Sequence, residues 1–169
     1  MKISRAWAMP NHNTLSIKPI AGFVAPYIAA SKKAVDPFAR DSKVASITND
    51  LNPETAAQYH LLAAEFLQLP AVYGADLVIY DPPYSLRQVK ECYNGCGVAF
   101  TQKDSQNAVR WTTERDIIES WQKAGDIVIS FGWTSTCMGN KRGYEIIEIL
   151  LVSHGSAHND TICVVERKL

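Results

Sequence analysis

The stretch ADLVIYDPPYSLRQ, residues 75–88, puts an acid, two prolines and an aromatic directly after the apolar run Leu77–Tyr80. Proline fixes φ near −65° and gives up its backbone donor, and it drives the residue before it into an extended conformation. The Asp81 carboxylate and the Pro82 and Pro83 carbonyls are therefore expected as acceptors in a rigid turn, with the flat ring of Tyr84 beside them. The plain alternative is a strand that leaves the core through a Pro-rich turn. The rest of the chain has to decide between the two.

Such a corner needs a sheet behind it. Short apolar runs occur at Ala34–Phe38, Val44–Thr48, Leu77–Tyr80 and Ile127–Phe131, followed by the longer Glu145–Val152 and Thr161–Glu166. Helical patterns lie between them. NPETAAQYHLLAAEFL has Asn52 as an N-cap, Pro53 at the first helical position and Glu54 in the first turn. TERDIIESWQKAG starts at Thr112–Thr113 and stops at Gly125. Ser85–Asn94, closed by Gly95, makes a short third helix, and IKPIAGFVAPYIAASKK a further one that Pro26 interrupts. Alternation of this kind predicts an α/β fold with a mostly parallel sheet. The last two runs, joined by SHGSAHND, read as an antiparallel hairpin. In open α/β sheets ligands sit beyond the carboxyl ends of the strands, and Asp36, Asp50, Asp81 and Phe131–Ser135 cluster there. Residues 95–111 show no clear period and are expected as an exposed loop.

The 169 residues fit one domain, 1–169, with room for a core. Apolar residues make up 47% and charged residues 20%, as in an ordinary globular chain. No run is long enough for a membrane span, and MKISRAWAMPNHN lacks the apolar region of a secretory signal, so the expected location is the cytoplasm. Lys and Arg number 17, as do Asp and Glu. Any nucleic-acid binding must then rest on a local basic patch; Arg40, Lys43, Arg87, Lys141 and Arg142 fall in segments expected on the active face. Cys92, Cys96, Cys137 and Cys163 form no zinc set with the scattered histidines, and no metal is expected. His154, His158, Asn159 and Asp160 read as a turn stabilised by Asn and Asp.

VDPFARDSK, TNDLNPE, DPPYS, VISFGW and EIIEILLVSHGSAHNDTICVVERK, in that order, resemble the DPPY-type amino-methyltransferases, above all the small adenine-specific (N6) DNA methyltransferases of phages and bacteria. The resemblance covers about Lys18 to Lys168. It implies a Rossmann-like fold, S-adenosylmethionine as cofactor and DNA as partner, with RNA as an alternative. An exocyclic amine is a poor nucleophile because its lone pair is conjugated with the ring. Two acceptors on its hydrogens favour a pyramidal nitrogen, and positioning and fixed electrostatics supply the rate. By this likeness Asp81 and Pro82 are those acceptors, within the catalytic set Asp81, Pro82, Pro83 and Tyr84. Tyr84 stacks on a base taken out of the helix. Carbon-5 methylation needs a cysteine after a proline, and the chain has none.

The likeness also implies a cofactor set. Asp50, followed by Leu51, faces the ribose hydroxyls; Asp36, Pro37 and Phe38 meet the methionine end; Lys18 and Pro19 close over it. Ser85, Arg87, Trp133, Ser135, Lys141 and Arg142 join Tyr84 on the substrate side. Two departures stand out. Family members follow DPF with glycines and a helix, whereas ARDSK runs almost directly into the next strand. The acid that touches the cofactor's adenine has no match, Glu65 being the nearest. Residues 95–111 are the only candidate for a dedicated recognition region, so either that short loop and the hairpin do the reading, a second subunit helps, or recognition is lax. A short or weakly specific target is expected, with homo-oligomer formation as one route to fuller reading. N4-cytosine or RNA methylation, and a reduced fold that binds without turnover, are the competing readings.

Overall fold

A computed structural model describes residues 1–108 and 111–169. Its centre is a seven-stranded sheet of β1 (Lys2–Trp7), β2 (Ala34–Asp36), β3 (Ile47–Thr48), β4 (Leu77–Tyr80), β5 (Ile127–Gly132), β6 (Tyr144–Ser153) and β7 (Thr161–Lys168), in the spatial order β1-β6-β7-β5-β4-β2-β3. Five helices, α1 (Lys18–Ala30), α2 (Ala63–Phe66), α3 (Leu86–Gly95), α4 (Gln102–Ala108) and α5 (Thr112–Trp121), accompany it. All neighbouring strands are parallel except β5–β7 and β6–β7. The expected α/β architecture with a terminal antiparallel hairpin is therefore present.

Alternate residues of a strand face opposite sides of a sheet, and β4 shows it. Leu77 and Ile79 pack with Ile20 and Val24 of α1, while Val78 and Tyr80 pack with Phe66, Val89 and Ile118 on the opposite face. Both faces are covered, which is why the parallel strands read as continuous apolar runs. Pro26 does not break α1, which continues to Ala30.

Four expectations change. β1 was not foreseen; it lies parallel to β6 at the sheet edge, pairing Lys2 with Glu148 through to Trp7 with Ser153. The helix proposed from Asn52 shrinks to Ala63–Phe66. Asn52 instead accepts from the Glu54 N–H at 3.0 Å in a local turn, and a bridge between Asn49 and Tyr59 extends the β3 pairing across the excursion. α5 ends at Trp121, and Gly125 (φ +95°) serves the following turn, its N–H donating to the Lys168 carbonyl at 2.9 Å. Residues 95–111 are no open loop: they contain α4, and Trp111 is buried. Val109 and Arg110 of that segment lie outside the described residues.

From β2 the chain goes outward to β3, then returns to β4 and continues to β5 on the other side. The crevice between the carboxyl ends of β2 and β4 is thus the point where strand order reverses, the usual ligand position in such sheets. Asp36 ends β2 and Asp81 follows β4.

Candidate active site at the strand-order reversal

The corner Asp81–Tyr84 is fixed from behind by α3. Ser85 is the N-cap, its hydroxyl accepting from the Gln88 N–H, and the Gln88 side chain returns to accept from the Tyr84 N–H at 2.7 Å and the Ser85 N–H at 3.2 Å. This reciprocal cap satisfies donors that a helix start otherwise leaves open. It also ties the corner to a rigid element, and Val89 of the same helix is buried in the core. Ser85 is therefore a support for the corner.

Tyr84 is not a free plate beside the acceptors. Its hydroxyl donates to the Asp81 carboxylate at 2.5 Å, and its ring meets Trp133 edge-on with centroids 5.7 Å apart. Burial pushes the Asp81 carboxyl up, opposed by hydrogen bonding from Tyr84 and Thr14 and by the charge of Arg40. Asp36 is held well above the usual carboxylate range, first by burial and then by the charges of Asp81 and Asp50, with the Phe38 N–H pulling the other way. Three carboxylates thus converge on the reversal point, an arrangement suited to a cationic ligand.

Two cavities flank the corner. One, of about 210 Å³, has apolar walls from Phe38, Leu51, Leu61 and Pro83 and polar groups from Asn49, Asn107 and Glu114. The other, of about 360 Å³, is bounded by Tyr84, Gln88, Trp133, Thr14, His154 and Asn159. Pro83 faces the first and Tyr84 the second. Asp81 and Pro82, between those two residues and β4, line neither cavity.

Of the residues expected on the cofactor side, Pro37, Phe38 and Leu51 line the first cavity. Asp50 stands beside it with both oxygens engaged, accepting from the Arg40 N–H at 3.0 Å and the Asn52 N–H at 2.9 Å. No helix follows Phe38. Where glycines are expected, Arg40 takes the left-handed conformation (φ +52°), a strain of roughly 1 kcal/mol for a residue with a Cβ. Lys18 and Pro19 form the first turn of α1 and line neither cavity. Glu65 is exposed.

Trp133, 43% exposed, lines the second cavity, whereas Ser135 is exposed beyond it. Arg87 is paired with Glu91 one helical turn on, at 2.8 Å. Lys141 and Arg142 are a correction. β6 runs parallel to β5, so residues just before Tyr144 stand at the opposite end of the sheet from Asp81, and Arg142 is bonded to Asp116 at 2.6 Å. The proposed basic patch is split, leaving Arg40, Lys43 and the Glu91-paired Arg87 as its exposed members on the side of the reversal point.

Sequence reasoning missed Asn49 and Glu114. The Asn49 amide is buried and welds the loop after β2 to the one after β3, donating to the Pro37 and Leu61 carbonyls at 3.0 Å each and accepting from the Leu61 N–H at 3.0 Å. Glu114 is buried in the first turn of α5, bonded by the Asn107 amide at 2.8 and 3.1 Å, and burial raises its pKa. A buried carboxylate held by a neutral amide and facing a cavity is a functional-site signal. Its sequence context, TTERD, reads as an ordinary acidic first turn and gives no hint of burial.

Solved structures share this architecture. TrmN from Thermus thermophilus superposes with a TM-score of 0.56 at 16% identity, over 90% of this chain and 49% of its own. N-methyltransferase NodS from Bradyrhizobium japonicum WM9, in complex with S-adenosyl-L-homocysteine, gives 0.53 at 10% identity over 89% and 86%. NSun6 from Pyrococcus horikoshii, with SFG, gives 0.52 at 12% identity over 80% and 47%. The chain spans about half the length of TrmN and NSun6. No protein-family model matches the sequence, and no curated protein matches it. At these identities the likeness defines the class of fold: a compact, Rossmann-like methyltransferase fold. Within that class the particular features of this chain are the DPPY corner at Asp81–Tyr84 and the shortened loop after Asp36. No helix among the described residues is long and apolar enough to cross a membrane.

Proposed function

We propose that this chain transfers a methyl group from S-adenosylmethionine to the exocyclic N6 amine of adenine in DNA. The observation that carries the reading is the corner itself, whose Pro83 lines the apolar-walled cavity while its Tyr84 lines the aromatic-rimmed one. A methyl transfer needs donor carbon and acceptor nitrogen to meet in line with nothing between them, and ligands of the two cavities would meet at that corner.

The residues present fit the donor. Phe38, Leu51 and Pro83 offer apolar faces to a purine and Glu114 an acceptor for its amino group, all four lining the first cavity, while Asp36 and Asp81 stand at the adjoining strand ends. A volume near 210 Å³ is smaller than most small-molecule pockets, so this cavity suits the nucleoside end. When bound, S-adenosylmethionine supplies an electrophilic methyl group. Asp81 and the Pro82 carbonyl then accept from the two hydrogens of the target amine and orient its lone pair. Tyr84 leaves the Asp81 carboxylate, freeing an oxygen for the amine and its own ring for stacking. The Gln88 clamp keeps the backbone of the corner still while the ring moves. NodS is an N-methyltransferase on this fold, which supports a nitrogen acceptor.

The Tyr84–Asp81 bond favours one rival, a fold that binds without turnover. Tritiated-methyl transfer to unmethylated DNA, followed by digestion to nucleosides, tests both. The expected product is N6-methyladenine, and Asp81→Ala is expected to fold and bind cofactor yet transfer nothing measurable. N4-methylcytosine, or methylated RNA with DNA untouched, would change the substrate. Cofactor binding without transfer to any nucleic acid would establish the rival.

A further inference from the structure

If the reading above holds, something must select the substrate, and the segment expected to do so stands on the wrong side. Lys103, Asp104 and Asn107 of α4, together with Trp111, line the Glu114 cavity, not the one beneath Tyr84. The cavity that Tyr84 and Trp133 line is shared instead with two other segments: the arm at 10–14 after β1, and the turn at 154–161 between β6 and β7.

These segments are built as one unit. The Ala8 N–H donates to the Ser153 carbonyl at 3.1 Å, and the buried His154 ring donates from Nδ1 to the Ala8 carbonyl at 2.7 Å. His154 Nε2 lies 2.8 Å from the Thr161 hydroxyl, so both ring nitrogens are spent as struts between arm, turn and β7. Asp160 closes the turn, accepting from the His154 N–H at 3.2 Å and the Ser153 hydroxyl at 3.1 Å. At its far end the arm is held by Arg40, whose guanidinium donates to the His12 carbonyl at 3.2 Å. The arm therefore runs from the sheet edge to the reversal point. Exposed Asn11, His158 and Asn159 bring amide and imidazole groups to the cavity that Tyr84 and Trp133 also line, the Asn11 oxygen accepting from the Asn13 N–H at 2.9 Å.

We infer that this arm-and-turn clamp is the substrate-selecting surface, and that its occupant is an extruded nucleobase of DNA with its flanking nucleotides. The aromatic faces suit the ring planes of bases. The amide and imidazole groups suit hydrogen bonding to the edges that distinguish them. The clamp takes the place of a long recognition region, and β1, the edge strand, delivers its arm.

Hydrogen exchange on the full chain, with S-adenosylhomocysteine alone and then with an unmethylated DNA oligonucleotide, tests this. The nucleoside ligand is expected to slow exchange in 95–108 and the DNA to slow it at 11–14 and 154–161. The pair Asn11→Ala and Asn159→Ala is expected to weaken DNA binding about tenfold or more, with affinity for S-adenosylhomocysteine unchanged. DNA protection confined to 95–108, or undiminished DNA affinity in the double variant, overturns the clamp while leaving the methylation reading in place. Failure of the wild-type chain to bind any DNA overturns both.

Discussion

Asp36 shows what the reversal point costs the fold. Its carboxylate is 1% exposed and accepts a single backbone bond, from Phe38, while Asp81 and Asp50 repel it. Because its folded pKa lies above the ordinary value, the folded chain holds that proton more tightly than the unfolded one. The resulting stability is complete below the unfolded pKa, near 4, and is lost as pH rises through the folded value. Asp36→Asn keeps the Phe38 bond and removes the charge. We expect it to raise stability at neutral pH by about 1–2 kcal/mol, a melting shift of ~2–4 °C per kcal/mol, and to flatten the pH dependence while weakening cofactor binding. A denaturation series from pH 4 to 8 checks it. Glu114 calls for a different measurement. S-adenosylhomocysteine should bind the wild-type chain about tenfold or more tightly than its inosine counterpart, which has an oxygen in place of the purine amine, and Glu114→Gln should narrow that gap. Equal affinities in the wild type, by calorimetry, would remove Glu114 from the site. Sequence could name Asp81 because it closes the apolar run Leu77–Tyr80, and Asp36 because it falls in the DPF stretch that carries the resemblance. It could not name Glu114, whose burial depends on Asn107 arriving from α4.

At the scale of elements, α3 holds the corner and α1 backs its strand. Ser85→Ala removes the hydroxyl half of the reciprocal cap and should cost about 1 kcal/mol of stability. It should also loosen Tyr84, read as a fall in kcat larger than any rise in KM for DNA; an unchanged kcat would make the cap purely structural. Elements with local punctuation were legible: the Ser85 cap, the α5 start at Thr112, and the Asn-Asp turn between β6 and β7. Those fixed by distant partners were not. Residues 52–62 carry a helical stripe, yet the pairing of Asn49 with Tyr59 and the Asn49 amide bonds hold them as a loop. KISRAW lacks a continuous apolar run because β1 is an edge strand with Ile3 and Trp7 59% and 65% exposed, and only its pairing with β6 makes it regular. Tertiary context decided both.

For the molecule as a whole, balance of charge would limit how the proposed DNA substrate is held. With 17 basic and 17 acidic residues, Arg87 and Arg142 committed to Glu91 and Asp116, and Lys141 at the far end of the sheet, few cations remain near the cleft. Each phosphate neutralised contributes about −0.9 to the slope of log affinity against log salt. We expect a shallow slope of about −2 to −3, measured by oligonucleotide titration between low and physiological salt. A steep slope would call for a basic surface on a second subunit.

The pairing of β1 with β6 joins segments separated by about 146 positions, as in Lys2 with Glu148. During synthesis the first strand must wait, edge unfilled, until nearly everything downstream has emerged. β2, β3, β4 and β5 meet through much shorter separations and can assemble beforehand. A nascent chain can therefore pair β2 to β5 early, whereas β1 and the arm that follows it are seated only once β6 has emerged.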